Sequence, residues 1–323
     1  MRVVTLDSYG PPEVLTFIEA PRPEPGPGQV LLRVRAASVT SADGRIRAAR
    51  FPPGFGLLGR LMFGWSRPRL RVLGVEVAGE VVAAGVDARF DEGDRVLCYL
   101  QAAMGGYAEY VVVGARDVAA RIPDDLSFAE AATLSFGGVT ALRYLDEWTR
   151  VQPGERVLVL GASGAVGSAM VQIARHLGAE VTGVCSARNV GQVRALGAHE
   201  VVDYGVSDVL ASGRTWDVVV DAVGVATYRS HKGLLTENGR ICLAVGGLWD
   251  LLSAPLINAT TRHTVVAGDA SCKQVHLDRL LGIVADGGYR PWVERTYAFE
   301  EVAEAHRYVD TGHKRGNLAL ELA

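Results

Sequence analysis

Residues 156–167, Arg-Val-Leu-Val-Leu-Gly-Ala-Ser-Gly-Ala-Val-Gly, constrain the fold of this chain more than any other stretch. Val157 to Leu160 is a short apolar run suited to a strand covered on both faces. The chain must then turn. Gly164 and Gly167 keep an A-x-G-x-x-G spacing from Ala162, which lets backbone approach a pyrophosphate and lets the following helix pack tightly on the strand. The turn residues Ser163, Gly164, Ala165, Val166 and Gly167 then present helix-start N–H groups to an anion. An ordinary Gly-rich strand-to-helix turn is the alternative reading, and the flanking sequence weighs against it. A helix is expected over Ala165–Leu177, ended by Gly178, and a second strand over Glu180–Val184, which completes a strand–helix–strand unit.

The residues after that second strand select among dinucleotides. An NAD site normally places Asp or Glu there to accept from the ribose 2′-hydroxyl. This chain reads Cys185-Ser186-Ala187-Arg188-Asn189, so Ser186 and Arg188 suit a 2′-phosphate and no carboxylate repels it. NADPH is therefore the expected cofactor. Alternatively, Ser186 only N-caps the helix containing Val193 to Leu196 and Arg188 is solvated in its first turn.

Around this unit the texture of the chain changes near Arg121. Before it, short β-type runs (Val30–Ser38, Gly74–Ala84, Asp94–Leu100, Tyr107–Val113) are separated by Gly and Pro. After it, strands alternate with helices: a helix from Phe128 to about Leu134, another after Gly138, and further strands at Val201-Val202, Asp217–Asp221, Arg240–Val245 and Thr264–Ala267. Past His276 come a helix near Leu277–Ala285, a strand at Val293–Tyr297, a helix over Phe299–Val309 and a last strand at Asn317–Leu322. A chain of 323 residues with 49% hydrophobic and 21% charged residues and a formal net charge of −3 excludes disorder and a strongly basic nucleic-acid surface. No signal peptide is read in Met1 to Ala20, no stretch suits a membrane span, and the cytoplasm is the expected compartment. The four cysteines, Cys98, Cys185, Cys242 and Cys272, form no C-x-x-C pair and read as small buried hydrophobes.

A β-rich first part, the glycine turn, Gly138-Val139-Thr140-Ala141-Leu142 and Val151-Gln152-Pro153-Gly154-Glu155 occur together, and in this the chain resembles the medium-chain dehydrogenase/reductase superfamily. More narrowly it is similar to the zinc-free quinone oxidoreductase and enoyl-reductase branch, over nearly its whole length. The resemblance implies an α/β fold: a GroES-like β-rich domain (1–122 and 268–323) interrupted by a doubly wound, parallel-sheet Rossmann domain (123–267) that binds NADPH, with the active site between them. It further implies cofactor contacts from Thr140, from Tyr204 near the adenosine phosphate, from the strand ends Val223-Gly224 and Ala244-Val245-Gly246, and from Arg315 and Asn317 in the C-terminal segment. A solvated basic turn is the alternative for that last run. A homodimer through the sheet edge at Thr264–Ala267 is also implied.

Zinc relatives need Cys and His ligands, whereas the corresponding positions here hold Thr40 and Val75. Glu76 remains and reads as a structural hydrogen-bonding group. The resemblance thus implies metal-independent hydride transfer to a quinone or an α,β-unsaturated carbonyl, which delocalises the added charge onto oxygen. Thr40 and Tyr107 are the candidate catalytic residues. Either hydroxyl could donate to the substrate oxygen, but Thr40 could equally bond local backbone and Tyr107 could equally be packing. Asp43 and Arg45 read as a structural pair, and Asp221 as a strand-end cap. An NADP-dependent alcohol dehydrogenase and a non-catalytic NADPH-binding protein remain the other readings. Finally, Phe51 to Arg71 carries Phe51, Phe55, Leu57, Leu58, Leu61, Met62, Phe63 and Trp65 among Pro, Gly and Arg. So much apolar surface needs a partner: a flap over the cleft selecting a bulky apolar acceptor, a subunit contact, or a small satellite core.

Overall fold

In chain order, the first half of the computed structural model, which describes residues 1–268 and 271–323, is mainly β. Strands β1 (Arg2–Leu6) and β2 (Leu15–Glu19) pair as an antiparallel ribbon. Next come β3 (Val30–Ser38), helices α1 (Ser41–Arg47) and α2 (Gly56–Phe63), then β4 (Glu76–Ala84), β5 (Arg95–Tyr99), β6 (Tyr110–Val113) and β7 (Val118–Arg121). Helices α3 (Phe128–Ala131) and α4 (Ser135–Leu142) lead into β8 (Arg156–Leu160), α5 (Ala165–His176), β9 (Glu180–Cys185), α6 (Val190–Ala195) and β10 (Glu200–Asp203). The alternation continues through β11 (Trp216–Asp221), α7 (Tyr228–His231), β12 (Leu235–Leu243), α8 (Leu248–Thr260) and β13 (Thr264–Ala267). Helix α9 (Gln274–Ala285), β14 (Val293–Ala298), α10 (Val302–Asp310) and β15 (Asn317–Glu321) complete the chain.

Two sheets organise these elements. One has the order β14-β15-β3-β4-β5-β7, with β6 also paired to β3, so the C-terminal strands return beside the N-terminal ones. The other is parallel throughout, in the order β10-β9-β8-β11-β12-β13. That is the doubly wound order, in which β8 and its neighbour β11 feed helices to opposite faces. The alternation of β8 shows both faces covered: Val157 and Val159 pack with Val171 and Ile173 of α5, while Leu158 and Leu160 pack with Ile241, Leu243 and Ala254 on the other side. Helix α9 joins the first of these cores through Leu277, Leu280 and Ile283. The chain regains the β-rich domain at β14, and α10 turns Val302, Ala305, His306 and Val309 onto it at helical spacing.

Several local expectations are corrected. No helix starts after Gly138. Instead α4 runs from Ser135 through it, and Gly138 is the point where the helix packs closely on Leu280 and Tyr289, a Cβ there lying only 2.7 Å from each. The strand expected at Arg240–Val245 ends at Leu243, which leaves Ala244 and Val245 in the loop beyond the sheet. The strand expected from Tyr107 begins at Tyr110, and the apolar insert folds into α2. Strands β1, β2 and β7 carry too little alternation to be read from their sequences alone.

One carboxyl group fastens the β-rich sheet to helix α4. Glu76, at the start of β4 and 2% exposed, accepts the N–H groups of Ser135 and Phe136 at 2.7 Å each through Oε1, and so caps the otherwise open N-terminus of α4. Burial raises its carboxyl to about 8. Glu76→Ala strands two amides and should cost about 1–3 kcal/mol in denaturant unfolding, whereas Glu76→Gln keeps the acceptor and should cost less. Because the folded form holds this proton above the usual carboxylate range, stability contributed by the group is lost as pH rises from about 4.5 through about 8. The Gln variant, measured by the same unfolding curves, should lack that slope.

Candidate active site

Where the connections leaving the neighbouring strands β8 and β11 diverge to opposite faces, the sheet leaves a crevice beyond its carboxyl ends. The β-rich domain closes over it to form a cleft of about 350 Å³. The glycine turn forms its floor. Gly161 supplies the turn's left-handed residue, φ +76°, and a Cβ on Gly167 would sit 2.1 Å from the Gly161 carbonyl, so strand and helix meet more closely than any side chain permits. Gly164, by contrast, has room and faces the cleft with Ala165, Val166 and Gly167. The first-turn amides of α5 have no partner within the helix and open toward this space. Gly161 lies outside the A-x-G-x-x-G spacing, and its role was readable only as a glycine ending a strand.

The structure gathers Thr40, Thr140, Gly164, Ala165, Val166, Gly167, Val223, Ala244, Val245 and Asn317 onto this one cleft. Thr140 stands on α4 with its hydroxyl bonded to the Phe136 carbonyl at 2.6 Å. Ser163 lies just beneath the floor. Its Oγ accepts from Asn189 Nδ2 at 2.9 Å, and its carbonyl accepts the Gly316 N–H at 2.7 Å, which stitches the C-terminal segment to the turn. Asp221 accepts the amides of Val223, Gly224 and Ala226 and so shapes the β11 strand end as a cap. Gly224 lines an adjoining groove at the cleft mouth, and Gly246 lines a neighbouring chamber. Ser186, Arg188 and Tyr204 stand beyond the ends of β9 and β10, on the side of β8 away from β11. Arg188 is exposed and donates to the His313 carbonyl at 3.1 Å, and Tyr204 is 65% exposed.

Other candidates are corrected by their partners. Tyr107 does not reach the cleft. It is fully buried in the β-rich core, and burial raises its phenol well above its ordinary value. Arg47 Nε donates to Nδ1 of His306 at 3.2 Å, so His306 carries its proton on Nε2 and donates it to the Tyr107 oxygen at 3.1 Å. Burial and the Arg47 charge hold His306 down to about 3, so it stays neutral. The Thr40 hydroxyl does line the cleft, but it donates to Asp43 Oδ2 at 2.5 Å and accepts the Asp43 amide at 3.2 Å, as the cap of α1. Giving that proton to a ligand would cost its bond to Asp43, although the two amide bonds of the capping box would remain. Asp43 also accepts from Thr40 and Gly74 amides and does not pair with Arg45. Arg315 turns away to the buried carboxylate of Glu294, which takes both its backbone N–H and its Nε.

Two cations take the place that Arg315 was expected to fill. Lys314, half-buried on the cleft wall, donates to the Gly316 carbonyl at 2.7 Å, and desolvation lowers its ammonium to about 8. Arg45 lines both the cleft and its mouth, has no ion pair among the described residues, and is likewise lowered by burial. Neither signal was sharp in the sequence, because a single basic residue says nothing about which way it points. Thr40 and Val75 offer no metal-binding atom of the zinc type, and among the described residues no group of three or more His, Cys, Asp and Glu is placed to hold a metal. The residues present do not fit a catalytic zinc. Among the described residues, no helix is long and apolar enough to cross a membrane.

Residues 26–124 match the family described as Alcohol dehydrogenase GroES-like domain, and residues 196–320 match Zinc-binding dehydrogenase. Among curated relatives, a quinone-oxidoreductase homolog, chloroplastic, of Spinacia oleracea is 34% identical over 99% of this chain and 98% of its own length. The NAD(P)H oxidoreductase RTN4IP1, mitochondrial, of Mus musculus is 30% identical over 98% of this chain and 88% of its own. The solved structure of the quinone oxidoreductase from Coxiella burnetii superimposes with a TM-score of 0.86 at 28% identity, covering 100% of this chain and 99% of that one.

Tyr107→Phe should cost about 1 kcal/mol in unfolding, since His306 loses its acceptor, while dinucleotide affinity measured by calorimetry stays within about twofold of the parent. A larger affinity loss with unchanged stability would return Tyr107 to the site.

Proposed function

Because the chain belongs to the medium-chain dehydrogenase/reductase superfamily, in its quinone oxidoreductase-like branch, we propose that it is an NADPH-dependent oxidoreductase. It passes hydride to a quinone or an α,β-unsaturated carbonyl without a metal. One observation carries this reading: the glycine turn, the strand ends of β11 and β12, α4 and two cations with no carboxylate partner among the described residues all line a single interdomain cleft. A bound dinucleotide supplies the hydride. The chain's own residues hold, orient and enclose. The α5 amides and the charges of Lys314 and Arg45 suit the pyrophosphate, while Ser186 and Arg188 suit the 2′-phosphate. Thr140, Val223, Ala244 and Val245 form the walls against which the nicotinamide is oriented. The two side chains that might have donated a proton are otherwise engaged, Thr40 in its cap and Tyr107 in the core, so solvent protonates the acceptor oxygen. This suits a conjugated acceptor, whose oxygen takes up charge by delocalisation, better than a saturated ketone. The open edge of β13 fits pairing with a second copy.

The reading is tested by following NADPH oxidation with quinones, enones, saturated ketones and aldehydes. Saturable turnover of the conjugated compounds supports it, and efficient reduction of saturated ketones alone overturns it. Arg188→Leu should raise KM for NADPH on the order of 10–100-fold, the value of a lost charge-assisted hydrogen bond, and leave KM for NADH nearly unchanged. Equal effects on both would remove Arg188 from the 2′-phosphate site. Lys314 is charged below about 8 and loses that charge above it. Affinity for NADPH should therefore weaken as pH rises through about 8, and Lys314→Met should bind more weakly at neutral pH and show no such step in a calorimetric series.

A further inference from the structure

Next to the cleft lies a second space of about 340 Å³ that the proposed reaction does not use. Its roof is the apolar insert, with Phe55 ahead of α2 and Leu58 and Met62 on it. Its floor is Leu243 and Ala267 at the ends of β12 and β13, with Leu251 of α8. Among the described residues, no titratable side chain lines it. Ala244 and Gly268 line both this chamber and the cleft, so the two spaces share a wall at the very strand ends expected beside the nicotinamide.

The roof is tied at both ends. The Leu248 amide donates to the Pro53 carbonyl at 2.9 Å, which fixes the start of the insert to the parallel-sheet domain. At the other end, the Tyr9 hydroxyl donates to the Phe63 and Gly64 carbonyls at 2.8 and 2.9 Å, which fixes it to the β-rich domain. In between, the Phe51 ring stacks on Phe63 with centroids 5.8 Å apart and lies over Gly59, where any Cβ would be 2.5 Å from the ring. The insert is thus a built wall. It nevertheless leaves Leu58 48% and Met62 59% exposed, and a satellite core would have buried them.

We propose that this chamber binds an extended hydrocarbon tail of the acceptor whose conjugated carbonyl occupies the cleft. The proposal rests on the reading of the cleft as a hydride-transfer site and adds its substrate class: acceptors with a long apolar substituent. Two features point to a tail and against a second copy of the chain. The chamber is walled by both domains of one chain, and it adjoins the cleft at Ala244 and Gly268, where the reacting head would sit. A second polar head has no partner there, and each methylene brought against Leu58, Met62, Leu243 and Leu251 leaves water for an apolar lining.

The test uses the full-length protein and a series of 1-alken-3-ones of increasing alkyl length, with NADPH. We expect kcat/KM to rise about two- to fourfold per methylene until the chamber is full, then level off. Met62→Trp, which fills the space from an exposed helix position, should lower the long-chain to short-chain ratio at least tenfold, and Leu58→Asp should lower it without adding volume. In parallel, calorimetry with saturated 2-alkanones of the same lengths reads tail binding with no reaction. Chain-length-dependent binding that either variant abolishes supports the chamber even if no acceptor is turned over, a result that would instead overturn the hydride-transfer reading. A flat chain-length dependence in both measurements overturns the chamber. So would a Met62→Trp variant that changes only the oligomeric mass, which would assign the surface to a second copy.

Discussion

Parallel strands wound in both directions from β8 must part somewhere, and at that point no crossover can cover the end of the sheet. Here the parting falls between β8 and β11, and everything the site offers is arranged around the gap: the floor from Gly164 to Gly167, the wall at Ala222 and Val223, and the next strand end at Ala244 and Val245. The crevice follows from strand order and from the right-handed crossover, before any particular side chain is chosen.

A crevice in one domain becomes a cleft only if the second domain is held over it. Glu76 does much of this by placing a carboxyl oxygen from β4 on the first amides of α4, the helix whose Phe136 and Thr140 face the cleft. The C-terminal segment closes the opposite side: the Gly316 amide bonds the Ser163 carbonyl, and Lys314 and Asn317 come to the wall from the same run. The site is therefore assembled from segments more than a hundred residues apart, and its polar groups divide into those spent on assembly and those left facing the space. Asp43, Asp221, Glu294 and Thr40 belong to the first kind, with Lys314 and Arg45 in the second.

That division also explains how an apolar insert fits a nucleotide enzyme. Lys314 and the free amides of α5 lie on one side of the cleft, while the described side chains around the ends of β12 and β13 in the chamber are apolar. An anionic cofactor and an acceptor with a hydrocarbon tail would each find a matching part of the space.

The strand–turn–helix of β8 and α5 and the β-rich flank were legible in the sequence from local physics: apolar periodicity and a glycine where Cβ cannot fit. The return of the C-terminal strands and cleft residues such as Thr140, Val223, Ala244 and Asn317 were expected only from the family resemblance. Hydrogen-bond ownership was not legible. Tyr107 read as a proton donor because a Gly-Gly-Tyr turn carries no sign of His306, about two hundred residues away, whose Nε2 fixes it in the core. Arg315 and Lys314 are adjacent and chemically alike in sequence, and only the buried carboxylate of Glu294 decides that the first turns outward and the second inward. Sequence alone determined the backbone route that makes a nucleotide crevice, because that route is set by residues close along the chain. Tertiary structure decided which polar side chains remain free to use it, because each is satisfied or left open by partners that only the folded chain brings within bonding distance.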